Sequence, residues 1–160
     1  MTVNTGSMHE TWMRLALEQA ERAGREGEVP IGAVIVKDGA ALAVGRNRRE
    51  TDHNALAHAE AEAIRAACAA LGSWRLSGCT LYVTLEPCPM CAGAIINARV
   101  DTVVFGAYDP KAGASGSVID LFSCPFNHHP AVMGGVLEED CRRLLQDFFA
   151  GLRRPKNDGC

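Results

Sequence analysis

The chain has 160 residues, 48% of them hydrophobic and 22% charged, which is the ordinary composition of one globular domain with a substantial core. Its formal net charge of −3 does not indicate a nucleic-acid-binding protein, so any such surface has to be a local patch. The longest apolar runs, such as Ala40 to Val44, are too short to cross a membrane, and the N-terminus lacks a signal-peptide pattern. We therefore expect a single cytoplasmic domain over residues 1–160, without membrane contact.

The cysteines do not form the pattern of a secreted protein. There are seven of them, an odd number, and two of these lie in a Cys-x-x-Cys motif typical of metal or redox sites. The other five are predicted to be free thiols: Cys68, Cys79, Cys124, Cys141 and Cys160.

The first third of the chain predicts a helix and a hairpin. Apolar residues recur at helical spacing from His9 to Ala23. Two strand-like runs follow, 33–36 and 41–44, and the Asp38-Gly39 pair between them is a strong hairpin signal. Asn47 lies just after this hairpin, and its position alone indicates an ordinary strand-end residue.

The remaining elements alternate between helix and strand. An Ala-rich helix is predicted from His58 to Leu71, a strand over 80–85, a short helix from about Met90 to Asn97, and a strand over 101–107. A long segment rich in glycine and proline, 108–130, is of the kind that is usually functional. A weak strand over 131–137 and an amphipathic helix over 138–152 complete the chain.

This order predicts an α/β fold, a three-layer α/β/α domain with a mixed sheet. The sheet should be antiparallel at the hairpin and parallel across the later crossovers. In such a sheet, helix starts that follow the carboxyl ends of the strands can meet at one edge. Segments 30 residues apart could therefore build a common site.

A zinc site is predicted from three residues at those helix starts. Zinc prefers thiolate and imidazole ligands, and three protein ligands leave a fourth position for water. His58, Cys88 and Cys91 supply three, and residues 88 and 91 can lie on one side of a helix. Glu60 lies roughly 200° around the helix from His58, so it is better placed to carry protons than to bind the same ion. His-x-Glu followed by Pro-Cys-x-x-Cys is a known signature of zinc nucleobase deaminases.

Each half of this signature alone is weak, because Cys-x-x-Cys also serves redox sites and structural zinc. The main alternative is a structural zinc site with a fourth protein ligand. Cys79, Cys124 or His128 would have to supply that ligand.

From Trp12-Met13 to Phe148-Phe149, the chain resembles the bacterial tRNA-specific adenosine deaminases of the cytidine deaminase superfamily. The resemblance implies a cytidine deaminase-like domain with five strands, one zinc ion per chain and a homodimer. It also implies hydrolytic deamination of adenosine to inosine at the wobble position, 34, of a tRNA anticodon. The motifs that carry it are Val29-Pro30-Ile31-Gly32-Ala33-Val34, Asn47-Arg48, His58-Ala59-Glu60, Thr84-Leu85-Glu86-Pro87-Cys88-Pro89-Met90-Cys91-Ala92-Gly93-Ala94, Val104-Phe105-Gly106-Ala107, and Asp120 with Phe126-Asn127-His128.

The resemblance also suggests substrate contacts, and it makes Asn47 a residue that binds the flipped base. The other candidates at the site mouth are Lys111, Asn127 and His128 in the long loop, and Phe149, Arg153 and Arg154 in the last helix. Without the resemblance, Phe148 and Phe149 would be interpreted as core and the two arginines as a solvated helix end.

The chain departs from the family pattern in two places. Asn54-Ala55-Leu56-Ala57 stands where many members have Asp-Pro-Thr-Ala, and His129-Pro130 stands where many have arginine. The second departure predicts the loss of one phosphate contact.

Two rival functions remain at this point. A deaminase of free bases or nucleosides, acting on guanine or cytosine, would use the same zinc chemistry. A non-catalytic, zinc-stabilised binding module would not need a carboxylate beside the metal, so Glu60 argues against it.

Overall fold

The structure is a computed structural model that describes residues 5–153, with side chains described for residues 8–152. Within these residues the chain forms four α-helices and five strands. A 3₁₀ turn, Leu121–Ser123, lies in the long glycine- and proline-rich segment 108–130. The bounds are α1 Thr5–Arg25, β1 Gly32–Lys37, β2 Ala40–Arg46, α2 Ala59–Leu71, β3 Cys79–Leu85, α3 Pro89–Asn97, β4 Thr102–Ala107, β5 Ala131–Met133 and α4 Glu138–Arg153.

The strands form one mixed sheet in the order β2-β1-β3-β4-β5. Strand β1 is antiparallel to both β2 and β3, whereas β3, β4 and β5 run parallel. Asp38 and Gly39, both with positive φ (52° and 74°), make the tight turn between β1 and β2. Because β2 and β3 are each antiparallel to β1, their carboxyl ends lie at the same edge of the sheet.

Helices cover both faces of the sheet, which confirms the three-layer prediction. Alternate strand residues point to opposite faces. Ile35 and Phe105 belong to the core shared with α2 and α3. Val34 and Val104 belong to the core shared with α1 and α4.

Small residues bring α2 close to the sheet. The face of α2 toward the sheet consists of alanines, with Ala59, Ala63 and Ala67 fully buried. Gly45 of β2 lies directly beneath this face, where a Cβ atom would come within 2.2 Å of the Ala59 carbonyl oxygen. The helix ends at Gly72, whose left-handed backbone (φ 62°) caps it.

Strand β5 is shorter than predicted, since it ends at Met133 rather than continuing to Leu137. Gly134 passes so close to the Phe105 ring that a Cβ atom would lie 2.4 Å from it. Gly135 then adopts a left-handed conformation, with φ of 86°. These two glycines turn the chain out of the sheet toward α4. Within residues 5–153, no helix combines the length and apolar character needed to cross a membrane.

Candidate active site

Two helix starts bring His58, Cys88 and Cys91 together. His58 and Cys88 are the extended residues immediately before α2 and α3, and Pro89 begins α3 with the fixed φ that favours a first helical turn. Cys91 lies within that turn. The three ligand atoms all lie within 4.8 Å of one another. This confirms that two segments 30 residues apart converge at one edge of the sheet.

The distances within this group fit a tetrahedral zinc site. His58 Nδ1 lies 3.6 Å from the Sγ atom of Cys88 and 3.6 Å from that of Cys91. Zinc bonds of about 2.3 Å to sulfur and about 2.05 Å to nitrogen, at a tetrahedral angle, would separate such ligand atoms by about 3.6 Å. The donors therefore already have the spacing that a shared zinc ion requires.

The electrostatics of the group favour a thiolate. The pKa of the Cys88 thiol is lowered to about 4. The largest cause is its hydrogen bond with Cys91, and its hydrogen bond with His58 adds to it, whereas burial opposes the shift. The same contact with Cys88, together with burial, raises the pKa of Cys91. The pKa of His58 is raised mainly by its hydrogen bond with Cys88. A sulfur that readily carries negative charge beside an imidazole is the ligand chemistry that zinc prefers.

Glu60 lies beside this group in a dry environment. Its side chain is 4% exposed, and burial raises the pKa of its carboxyl to about 7. The backbone N–H of Glu60, the charge of His58 and the Cys91 thiol oppose that rise in pKa. A carboxyl that gains and loses a proton near neutral pH is suited to general acid and base catalysis.

The three candidates for a fourth protein ligand have other partners. The thiols of Cys79 and Cys124 contact the backbone oxygens of Ser77 and Asp120. His128 Nε2 donates to the Val100 carbonyl at 2.6 Å. Among residues 5–153, the metal-ligating group therefore consists of His58, Cys88 and Cys91 alone. This arrangement disfavours the structural-zinc alternative.

A small cavity of about 100 Å³ opens beside His58, and we call it the inner cavity. Asn47 lines it and is 6% exposed. The Asn47 amide nitrogen donates to the Val29 carbonyl, and its oxygen accepts from the Arg49 N–H, both at 3.3 Å. These two bonds fix the orientation of the amide. Since an amide has two donor hydrogens and two acceptor lone pairs, one of each remains for a ligand.

A larger groove of about 450 Å³, which we call the outer groove, adjoins the inner cavity. Val29 and Arg49 line both. Lys111 and Phe149, two predicted substrate contacts, also line the outer groove. Phe149 is 40% exposed, so it is not the core residue that composition alone suggested.

The other predicted contacts lie elsewhere or outside the described residues. Asn127 lines a different groove along α3, together with the exposed Phe126. His128 is directed toward Val100. The side chain of Arg153 and the whole of Arg154 lie outside the described residues. The structure therefore groups Asn47, Lys111 and Phe149 near His58, but not Asn127 or His128.

Three residues near the site were missed by the sequence reasoning. Arg49 lines both the inner cavity and the outer groove. Glu28 and Glu86 are buried carboxylates that accept hydrogen bonds from loop backbones. Glu86 lies inside the most specific motif, two residues before Cys88, and an acidic residue at the end of a buried strand was the available signal.

Comparisons with known proteins identify the family of this chain. The model of the MafB19-like deaminase family matches residues 7–153. The tRNA-specific adenosine deaminase of Bacillus subtilis is 53% identical over 148 residues, which is 92% of each chain. The chain belongs to the tRNA-specific adenosine deaminase family.

Solved structures show the same fold. A structure from a study of A-to-I editing by tRNA:A34 deaminases superposes with a TM-score of 0.82 at 49% identity, covering 84% of this chain and 99% of that one. A guanine deaminase from Bacillus subtilis is 45% identical with a TM-score of 0.62, covering 71% and 73%. The cytidine deaminase-like fold predicted from the sequence is thereby confirmed. Membership in this deaminase family makes the His58, Cys88 and Cys91 group, with Glu60, the candidate reaction centre.

Proposed function

We propose that the protein hydrolyses the exocyclic amine of adenosine at the wobble position, 34, of a tRNA anticodon, releasing ammonia and leaving inosine. One observation carries this proposal: His58, Cys88 and Cys91 converge with zinc-ligand spacing beside the buried carboxylate of Glu60. The tRNA deaminase from Bacillus subtilis, 53% identical over 92% of the chain, supports the choice of substrate.

His58, Cys88 and Cys91 would hold one zinc ion per chain. Bound there, zinc would lower the pKa of a water molecule enough to provide a nucleophile near neutral pH. The side chains leave one of the four tetrahedral positions for that water.

Glu60 is the proton carrier in this proposal. It accepts the proton lost by the attacking water and delivers it to N1 of adenine, which makes C6 more electrophilic. It then takes the proton of the hydroxyl now bonded to C6 and passes it to the amino group, so that the C6–N bond breaks and water and adenosine are converted into ammonia and inosine. Its raised pKa, about 7, suits a group that must both accept and donate.

Asn47 is proposed to bind the flipped base in the inner cavity through its free donor and acceptor positions. The nucleotides around position 34 would then lie in the outer groove. There Lys111 and Arg49 offer charge to phosphates and Phe149 offers a stacking face. Asn127, His128, Arg153 and Arg154 stay proposed contacts on the resemblance alone.

The homodimer and the cytoplasmic location are also proposals, the first from the family resemblance and the second from the substrate. We further propose that residues 1–160 form one deaminase domain. A guanine deaminase is the second candidate, because the Bacillus subtilis guanine deaminase is 45% identical, although over 71% of this chain only.

The decisive experiment gives the purified, zinc-loaded protein a tRNA anticodon stem-loop with adenosine at position 34. Sequencing should show conversion at that position and not in a stem-loop with the adenosine moved to position 35. Guanine, cytosine and adenosine as free bases or nucleosides are assayed in parallel for ammonia release. Conversion of guanine without conversion of the stem-loop would replace this proposal with the guanine deaminase. In cells lacking the protein, A-to-G reads at position 34 of tRNA should disappear.

A further inference from the structure

Two buried carboxylates lie outside the proposed catalytic group. Glu28 is 1% exposed and Glu86 is 2% exposed. Neither forms a salt bridge within the part of the chain that the structure describes. A buried carboxylate needs hydrogen bonds to compensate its desolvation. In both cases backbone N–H groups of a surface loop supply them.

Glu86 binds the backbone of the loop that follows β4 through several hydrogen bonds. Its Oε1 accepts from the Asp109 N–H at 3.0 Å, and its Oε2 accepts from the N–H groups of Ser115 at 2.9 Å and Ser117 at 3.2 Å. The Ser117 hydroxyl also donates to Oε1. The backbone at Gly113 packs directly against the carboxylate, since a Cβ atom at this position would lie 2.4 Å from it. One side chain thus holds both ends of a nine-residue loop, 109–117.

Glu28 performs the same task for the loop that follows β2. Its two carboxylate oxygens accept from the N–H groups of Glu50 at 3.0 Å and Thr51 at 3.1 Å. Arg49, the residue before this pair, is anchored in turn through its own N–H to Asn47. Hydrogen bonds therefore fix the backbone at Arg49 itself and at the next residue, Glu50.

Both loops contribute a cation to the outer groove. Arg49 comes from the Glu28-anchored loop and Lys111 from the Glu86-anchored loop. Asp109 tightens the second loop further, because its Oδ1 accepts from the Lys111 N–H at 3.0 Å. The positions of the two cations relative to His58 therefore depend on two buried carboxylates that do not line the groove themselves.

We propose that Glu28 and Glu86 are positioning residues that hold Arg49 and Lys111 in place to bind phosphates of an RNA strand next to the reacting nucleotide. This inference rests on the proposed function, since it assigns a partner chemistry to the same groove. The physical reason is preorganisation: a loop already fixed in its binding geometry loses less conformational freedom when the strand binds. Each carboxylate acts through the loop and not by touching RNA.

The test uses Glu86→Gln and Glu28→Gln, which keep the side-chain shape but place an NH₂ group against N–H donors. Affinity is measured for the full chain with a labelled anticodon stem-loop carrying inosine at position 34, so that no turnover occurs, over a series of salt concentrations. If one phosphate contact is lost, the slope of log affinity against log salt falls by about 0.7. The expected result is this smaller slope for each variant, with kcat on the adenosine stem-loop within about twofold of wild type.

Double variants distinguish a positioning role from a general loss of RNA affinity. If Glu86 acts through Lys111, then Glu86→Gln combined with Lys111→Ala should have the same slope as Lys111→Ala alone. The matching pair is Glu28→Gln with Arg49→Ala. The control is Asp101→Asn, whose carboxylate also accepts a backbone N–H, from Gly78 at 2.9 Å, but away from the groove. It should leave the slope unchanged.

Hydrogen exchange measures the anchoring itself, without RNA. The amides of Asp109, Ser115 and Ser117 should lose protection in Glu86→Gln and keep it in Asp101→Asn. If Glu86→Gln does not fold, Gly113→Ala displaces the same loop and should give the same loss of protection and slope. Unchanged protection, unchanged slopes, or slopes that add in the double variants would each overturn the positioning role. Wild-type protein that neither binds nor deaminates the stem-loop would refute the proposed function, and this result is visible before any variant is made.

Discussion

Gly45→Ala should damage the active site without touching it. The new Cβ atom would lie 2.2 Å from the Ala59 carbonyl oxygen, whereas ordinary contact begins at 3.4 Å, so α2 and β2 must separate by about 1.2 Å. The two atoms below 3.0 Å, the Ala59 carbonyl oxygen and the Ala63 amide nitrogen at 2.6 Å, belong to the backbone and cannot rotate aside. Because α2 starts immediately after His58 and carries Glu60, this shift changes the positions of both relative to Cys88 and Cys91.

The expected stability loss is about 1–3 kcal/mol, the usual range for overpacking. The activity loss should be larger, on the order of 100-fold in kcat, since a displacement of about 1 Å at a reacting group has that effect. Zinc affinity, measured by chelator competition, should fall as well. Gly32→Ala is the matched control: its Cβ atom would lie 2.0 Å from the Ala16 carbonyl oxygen, so it displaces α1 and not α2. It should lose similar stability but keep zinc affinity and kcat.

Gly93→Ala is a second control, because Gly93 lies in α3 with no atom within 4 Å of its Cβ position. It should be stable and active. A folded Gly45→Ala with wild-type zinc affinity and kcat would refute this coupling between the α2–β2 contact and the site, as would a Gly32→Ala that loses both to the same extent.

Four further changes test separate parts of the site and fold. Glu60→Ala should retain zinc and fold yet lose nearly all turnover, because the proton carrier is gone; near wild-type kcat would contradict its role. Cys88→Ser should lose zinc in elemental analysis, since a ligand sulfur is missing; one tightly held zinc per chain would show that the ligand set is wrong. Phe149→Ala should weaken stem-loop binding by about 1–3 kcal/mol if the ring stacks on a base, and unchanged affinity in a binding titration would exclude it. Burial raises the pKa of Cys141 from 9.0 to about 12. Ionisation of this thiol in the unfolded chain should therefore reduce the free energy of unfolding by about 1.4 kcal/mol per pH unit between these values. Denaturant titrations of Cys141→Ala should show a correspondingly flatter decline, and equal slopes would contradict the burial effect.

The order of the sheet could be anticipated only in part. Periodicity and the Asp38-Gly39 turn located the strands, and alternation of helix and strand predicted parallel crossovers. That β1 would lie between β2 and β3 could not be derived from local pattern, because it depends on which edge the later strands join. The early end of β5 was missed for a similar reason: the close approach of Gly134 to Phe105 is a tertiary contact.

Some residues of the candidate site could be predicted from the sequence and others could not. His58, Glu60, Cys88 and Cys91 were predictable because the residue types carry the chemistry and the helix starts bring them together. Glu28 was not, since an isolated glutamate in a sequence normally belongs to the surface, and the only signal for Glu86 was its place directly after a buried strand. Only the structure shows that their carboxylates are buried and bonded to loop backbones.

The net charge of −3 has to be reconciled with an RNA substrate, and the pairing of the cations near the site shows how. Arg46 is bound at 3.0 Å by Glu26, and Arg48 at 3.2 Å by Asp52, so their charge is already compensated within the protein. Arg49, which lines the groove, has its nearest carboxylate, that of Glu50, at the longer distance of 3.9 Å. An exposed pair of that length stabilises little and yields readily to a phosphate. Binding would then depend on a few well-placed cations and not on a broad positive surface, so the geometry that Glu28 and Glu86 impose on Arg49 and Lys111 would decide which strands the groove accepts.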